Sequence, residues 1–432
     1  MNELILKQNI SKFKKIHMIG IGGIGMSGLA GILKQLNHEI TGSNLVQNSQ
    51  TPKLEALGIQ VTTHCPENIQ EQQLVIYSQA IAHDHQEILT AKSKNIPCIS
   101  YPQAVGMLTS TYKNLIAIAG THGKSTTTAM LICVLKKLKI NFSCILGTNL
   151  QQLNDLNFQL STNSDIFIIE ACEYMDAFLN YHPNISLITN LEIDHFDFFK
   201  SEEQYLESFQ NFAEQSQFTI LNTDYQLSHK LKNIDSKYNT QEAGHIKLNV
   251  YGKHNQSNAL GCKLVCEQLG ITEEEFARAI LDFKGSARRQ ELILETDNQK
   301  IFSDYGHHPN EIKATMQGFK QQFPNSKICL IYQPHQYSRT LKLLDMFVDC
   351  FGDCDKLVIP DIYKARDTQE DIENMPVEKF IETIQHPNVV NADGLQNLQE
   401  NFYELTKDYP VVVVMGAGDI DSIFAKLKSS KT

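Results

Sequence analysis

Three times this chain runs from a short apolar segment straight into a glycine turn: KIHMIGIGGIGMSGLAGIL from residue 15, NLIAIAGTHGKSTTTAML from 114 and VVVVMGAGDI from 411. Apolar runs of four to six residues bounded by glycine read as strands buried on both faces. Strands of that kind, alternating with helical stretches, build parallel α/β layers, and ligands collect where the strands end. At 432 residues the chain exceeds one comfortable core. A prior of ~150 residues per domain gives about three, with boundaries expected at 1–106, 107–284 and 285–432.

A formal net charge of −11 argues against a protein whose work is to hold nucleic acid, which needs a basic field to displace counterions. Anionic ligands must then be gripped locally, by backbone amides and a few basic side chains. The ten cysteines are scattered through apolar runs, as in a reduced cytosolic protein. The closest pairs, Cys262/Cys266 and Cys350/Cys354, are four apart, which is a helical turn and not the C-x-x-C of metal or redox sites. The lysine-containing start lacks the apolar stretch of a signal peptide. No run of 18 apolar residues exists, so no membrane insertion is expected.

In the first segment Gly20, Gly22 and Gly25 form G-x-G-x-x-G between a strand (16–19) and a helical run (26–36), the context that places a pyrophosphate on a helix N-terminus. A dinucleotide site expects an acid at the end of the second strand, where this chain has Ser43 and Asn44. A nucleotide diphosphate other than NAD is favoured. The second segment reads strand (115–119), loop, Gly-Lys-Ser and helix, a phosphate-binding loop; with Ile118 where the long form carries glycine, the loop opens at Gly120, against a standard motor or GTPase. Strand-like runs at 165–173 and 185–197 deliver Glu170, Glu173, Asn190, Asp194 and His195. Ser125 and Glu170 can supply oxygen ligands to a phosphate-bound Mg²⁺, unless Glu170 is only a solvated strand end. His195 is a poor default Mg²⁺ ligand. His254, Asn255 and Asn258 crowd a helix start, where they read first as caps and second as readers of an adenine edge. In the third block polar residues again gather at strand ends: Asp304, Tyr305, His307 and His308; His335, Tyr337 and Arg339; Asp361, Tyr363 and Arg366. Three such clusters in one domain suggest the wall of an active site.

Nine motifs in order, HMIGIGGIGMSGLA, AGTHGKSTTT, IEACE, TNLEIDHFD, GKHNQSNAL, ARRQE, DYGHHPNEI, QPHQYSRT and MGAGDI, make the chain resemble the Mur ligase family over nearly its whole length. The resemblance implies a Rossmann-like N-terminal domain for a UDP-sugar, a central P-loop ATPase-like domain and a Rossmann-like C-terminal domain for an amino acid. It implies ATP-dependent amide ligation through an acyl phosphate, in the branch that joins L-alanine to a UDP-muramoyl carboxylate. By the same resemblance Gly20, Gly22, Gly23, Ile24, Gly25, Met26 and Ser43 would hold the UDP-sugar. Gly120, Thr121, His122, Gly123, Lys124, Ser125, Thr126 and Arg288 would hold ATP, with His254, Asn255 and Asn258 on adenine, against the cap reading. Ser125, Glu170 and His195 would fix two Mg²⁺; Lys124, His195, His335 and Arg339 would act in catalysis, and Tyr305, His307 and Arg339 would place alanine. Arg288 and Arg289 would reach the nucleotide or UDP-sugar, or else are surface charges. Small-molecule substrates, a cytoplasmic location and a monomer or weak homodimer are expected. Many relatives read Glu-Ala-Asp-Glu-Ser where this chain has Glu-Ala-Cys-Glu-Tyr (170–174), and GSD where it has GSN (42–44). Related ligases that attach a preformed tripeptide, or that lengthen folates, are the alternatives within the family. A nucleotide-hydrolysing regulator and an NAD oxidoreductase are the alternatives outside it.

Overall fold

Each buried apolar run takes up the extended form expected of it, and the strands assemble into three sheets. The computed structural model describes residues 5–241, 244, 246–365 and 367–424. They divide into two compact units, Met1–Lys247 with Ser257–Phe283, and Leu248–Gln256 with Lys284–Thr432.

The first unit holds two sheets. One is fully parallel, ordered β3-β2-β1-β4-β5, from β1 (Lys15–Ile19), β2 (Glu39–Asn44), β3 (Gln60–Thr63), β4 (Leu74–Tyr77) and β5 (Cys98–Ser100). The other is ordered β12-β11-β10-β6-β9-β7-β8, from β6 (Asn114–Ala119), β7 (Ser143–Leu150), β8 (Leu156–Gln159), β9 (Ile166–Glu170), β10 (Ile185–Ile188), β11 (Phe218–Asn222) and β12 (Ser236–Tyr238). Only the β7–β8 edge hairpin is antiparallel. One buried apolar cluster includes Ile16 and Leu29 from the first sheet's side and Ile145, Phe158, Phe178 and Phe209 from the second's, so the two layers share a core.

Helix α1 (Ile24–Gln35) follows the first glycine turn and lies against the β7–β8 hairpin. Glycine makes the approach possible, because a Cβ on Gly31 would stand 2.1 Å from Phe158 Cζ. Asn157 Nδ2 donates to the Ile24 carbonyl at 2.6 Å and ties the same two elements at the helix's first turn. Helix α2 (Lys124–Lys137) follows the second glycine turn and is buried along most of its length.

The second unit carries a six-stranded sheet, β13-β14-β18-β15-β16-β17, from β13 (Glu291–Glu295), β14 (Lys300–Asp304), β15 (Ile328–Tyr332), β16 (Lys356–Ile359), β17 (Val389–Asn391) and β18 (Val411–Met415). β13 pairs antiparallel at one edge, and the rest is parallel. Of the terminal helix expected after the last glycine turn, the stretch beyond residue 424 lies outside the described residues.

Helix α3 (Lys253–Gln268) begins earlier than the polar residues suggested, because Gly252, with φ +98°, makes the turn that starts it. His254, Asn255 and Asn258 therefore lie within the helix, and the cap reading is corrected. Cys262 and Cys266 are both buried on it and unlinked, which bears out the packing reading. Among the described residues no helix is long and apolar enough to cross a membrane.

Replacing Gly31 by valine is expected to wedge α1 off Phe158 and destabilise the protein by about 1–3 kcal/mol, the usual cost of overpacking. Urea denaturation checks it, and an unchanged midpoint would show that the contact yields freely.

Candidate active site

The first glycine turn is built against the end of β2. Gly20 turns with φ +75°, and the Gly20 and Ile21 amides donate to the Ser43 carbonyl at 2.8 and 3.1 Å. With Gly23 as N-cap and Ile24, Gly25 and Met26 opening α1, the loop lies at a helix N-terminus, a natural anion seat. Gly22 lies under Asn44, whose Nδ2 would be 2.5 Å from any Cβ there, and Asn48 Nδ2 donates to the Gly22 carbonyl at 2.9 Å.

Ser43 differs from its expected role as a contact residue. It is fully buried, and its hydroxyl donates to Glu87 Oε2 at 2.6 Å and lies 2.9 Å from His64 Nδ1. Glu87 also accepts from Asn68 Nδ2 at 2.6 Å and the Cys65 amide at 3.1 Å. Burial alone would raise the Glu87 pKa, but His17, Asn68, Ser43 and the Cys65 amide together hold it down to about 2. This carboxylate knots β1, β2 and the segment after β3 beneath the glycine turn. Sequence reading missed it, since nothing local marks Glu87 as buried.

In the phosphate-binding loop, Gly120 takes φ +125°, and a Cβ there would be 2.4 Å from Thr189 Oγ1. The loop is tied to the segment after β10: the His122 amide donates to Asn190 Oδ1 at 2.8 Å, and Thr121 Oγ1 donates to the Glu192 carbonyl at 2.6 Å. Thr121 and Asn190 therefore shape the loop. Thr126 is buried on α2. Asn258 faces the same loop, its Oδ1 being 2.5 Å from where a Gly123 Cβ would stand.

Lys124 is the first residue of α2, 13% exposed. Its ammonium donates to the Gly120 carbonyl, to the Thr121 carbonyl at 3.1 Å and to Glu173 Oε2 at 3.0 Å. Burial opposes its charge, but the field of Glu173 outweighs that and raises its pKa; reciprocally, Glu173 is held below the ordinary carboxylate value despite complete burial. His195 sits in left-handed backbone, φ 54°, with Nε2 3.4 Å from Glu173 Oε1. Burial would lower its pKa, yet Cys172 and Glu173 raise it to about 10.

Ser125 Oγ donates to Glu170 Oε1 at 2.8 Å, and the Gly147 amide donates to Oε2 at 2.8 Å. Glu170 is thus no mere solvated strand end. A hydroxyl and a carboxylate are hard oxygen donors that fit Mg²⁺, whereas the His195 nitrogen is a weaker match. Glu173, Asn190, Asp194 and His195 all lie in loops beyond β9 and β10, whose strands end at Glu170 and Ile188.

In the second unit the clustered residues meet at the C-terminal ends of β14, β15 and β18. Two guanidinium carbons lie over the Tyr305 ring, Arg288 at 5.0 Å and Arg289 at 4.9 Å from its centroid. Arg288 also donates to the Gly416 carbonyl and, at 3.1 Å, to that of Gly418, and it lies 3.4 Å from Asp421. Neither arginine is a free surface charge. Glu311, in the helix Pro309–Gln322, accepts from the His307 and His308 amides at 3.0 and 3.2 Å and lies 3.7 Å from Arg289. It completes a capping box with His308, a signal that the motif HHPNE carried and sequence reading left unused. Arg339 is buried, with NH1 3.1 Å from His335 Nδ1, and the His335 ring stacks on Tyr363 with centroids 5.4 Å apart. His254 and Asn255 also belong to this unit. Burial lowers the His254 pKa to about 4, so its ring is neutral at pH 7, and Asn255 Nδ2 donates to the Tyr251 carbonyl at 2.7 Å. Arg366 lies outside the described residues.

Three family descriptions match in chain order: Mur ligase family, catalytic domain, at residues 15–113; Mur ligase middle domain at 118–243; and Mur ligase, glutamate ligase domain, at 288–418. The chain belongs to the Mur ligase family. It is 36% identical to a UDP-N-acetylmuramate–L-alanine ligase of Clostridium botulinum (strain Loch Maree / Type A3) over 95% of this chain and 96% of that one. A namesake from Caldicellulosiruptor saccharolyticus is 33% identical over 94% and 96%. Among solved structures, the UDP-N-acetylmuramate–alanine ligase of Thermotoga maritima superposes with a TM-score of 0.81 at 26% identity, covering 97% of this chain and all of that one. A murein peptide ligase of Psychrobacter arcticus, at 22% identity and a TM-score of 0.70, shares the fold. The α/β architecture expected of a Mur ligase is therefore present.

Glu87 supplies a pH test. Its folded pKa of about 2 lies below the ordinary 4.5, so its contribution is fully present above pH 4.5 and fades as pH falls toward 2. Glu87→Gln should lose on the order of 3 kcal/mol at pH 7. The gap from the parent should narrow between about pH 4.5 and 2 in denaturant titrations, and parallel curves would contradict this.

Proposed function

We propose that this chain joins L-alanine to the carboxylate of UDP-N-acetylmuramate in an ATP-driven amide ligation, supplying cell-wall peptidoglycan precursors. The observation that carries the reading is a phosphate-binding loop whose lysine is paired to a carboxylate, with a Ser–Glu oxygen pair beside it, in a chain that matches such ligases end to end. Its division at 1–106, 107–284 and 285–432 is part of the proposal and is supported by the three sheets.

A carboxylate is a poor acylating agent, and phosphorylating it supplies the leaving group. A muramoyl carboxylate oxygen attacks the γ-phosphorus of ATP and ADP departs. The alanine amine then attacks the acyl carbon, phosphate leaves, and the amine's proton passes to solvent or base.

Both steps build charge on non-bridging oxygens, so preorganised cations and amides lower the barrier. We assign Lys124 to the β/γ-phosphates, with the amides of Gly120 to Thr126 around them. An arriving phosphate would replace the loop carbonyls as partners of the Lys124 ammonium. Ser125, Glu170 and His195 would hold Mg²⁺, two ions in this reading, which would draw carboxylate and γ-phosphate together against their mutual repulsion. Gly20, Gly22, Gly23, Ile24, Gly25 and Met26 would seat the UDP diphosphate, and Ser43 would act through Glu87 by holding the end of β2. His254, Asn255 and Asn258 are assigned to adenine and Arg288 to the nucleotide. Tyr305, His307 and Arg339 are assigned to alanine, with His335 and Arg339 supporting acyl transfer. A cytoplasmic location and a monomer or weak homodimer complete the reading.

Phosphate release from purified protein should require Mg-ATP, UDP-N-acetylmuramate and L-alanine together, with L-alanine far better than L-Ala-γ-D-Glu-diaminopimelate. Turnover with the tripeptide alone would move the assignment to peptide recycling.

A further inference from the structure

Of the ten cysteines, eight are buried, Cys65 is intermediate and Cys172 alone is exposed. The Cys172 thiol, a Glu173 carboxylate oxygen and a His195 ring nitrogen all lie within 4.8 Å of one another. Glu173 divides its oxygens: Oε2 takes the Lys124 ammonium at 3.0 Å, while Oε1 faces His195 Nε2 at 3.4 Å. Neighbouring ligands of a tetrahedral ion bound at ~2.0–2.2 Å stand about 3.4 Å apart. Oε1 and Nε2 already hold that separation, with the thiol on the residue next to Glu173.

Thiol, imidazole and carboxylate form a donor set that zinc and softer cations prefer and Mg²⁺ does not. A second trio, His64, His85 and Glu87, lacks this readiness. There the carboxylate is saturated by Ser43, Asn68 and the Cys65 amide, and His85 Nδ1 caps a helix by accepting from the Glu87 amide.

We propose that Cys172, Glu173 and His195 form an inhibitory site for a thiophilic divalent cation of the zinc–cadmium class. Binding forms sulfur–metal and nitrogen–metal bonds, breaks the S–H of Cys172 and the N–H at His195 Nε2 and releases both protons to solvent, with no change of oxidation state. The ion takes up His195 and lodges beside Lys124, where ATP chemistry needs both; this inhibitory consequence rests on the function proposed above, whereas the binding does not. A relative with aspartate at this position would offer oxygen in place of sulfur and would lose the preference.

The full-length, reduced, nucleotide-free protein is titrated with Cd²⁺ while ultraviolet sulfur-to-cadmium charge-transfer absorption is followed. The band should saturate at one equivalent, persist in Cys65→Ser and vanish in Cys172→Ser. In the phosphate-release assay with saturating Mg-ATP, Cys172→Ser should keep its turnover and need at least tenfold more Zn²⁺ for half-inhibition. A band that survives in Cys172→Ser, or equal zinc inhibition of both proteins, overturns the proposal. A parent protein that binds Cd²⁺ through Cys172 but releases no phosphate would instead count against the ligase reading.

Discussion

A lysine at the first turn of a helix stands at the wrong end of the dipole, since the free amides there repel a cation. Lys124 tolerates that position because three acceptors surround its ammonium: the Gly120 and Thr121 carbonyls and Glu173. Glu173 in turn is fully buried and is kept ionised chiefly by Lys124 and His195. Breaking a buried pair by removing one partner typically costs about 3–5 kcal/mol, because the other charge is left uncompensated. The pair therefore holds the loop in shape and keeps a cation ready for phosphate. The rest of the nucleotide site is hung on it, from the turn at Gly120 to the ties with Asn190 and Glu192.

The second unit uses a parallel device. Glu311 gathers the His307 and His308 amides and lies near Arg289, while Tyr305 carries both arginines on its ring. Each binding region thus has a carboxylate that touches no reacting atom in the proposed chemistry yet sets where the basic groups stand: Glu173 for Lys124, Glu311 for the histidines and Arg289, Glu87 for the end of β2.

Those carboxylates mark the limit of what was legible in the sequence. The strand–glycine–helix segments announced their folds locally, and β1, β6 and β18 lie where the apolar runs lie. The edge strands β7, β8 and β13 had no such signature, because edge pairing depends on neighbours distant in the chain. Ser43 is assigned to the UDP-sugar through the family resemblance; its burial under Glu87, 44 residues away, is a tertiary fact. Asn258 looked like a cap because its polar neighbours suggested a helix start that Gly252 in fact sets a turn earlier. The family motifs carried the assignments that residue-by-residue reading left open between caps and adenine contacts.

The central claim is that the phosphate-binding loop activates a carboxylate, and transfer of oxygen reports it directly. UDP-N-acetylmuramate labelled with ¹⁸O in its carboxylate is turned over with Mg-ATP and L-alanine, and the released phosphate is analysed by mass spectrometry. One labelled oxygen in each phosphate is predicted, since the attacking carboxylate oxygen leaves with phosphorus. Amide product formed with unlabelled phosphate would mean that ATP is cleaved without acyl-phosphate formation, and the account would fail.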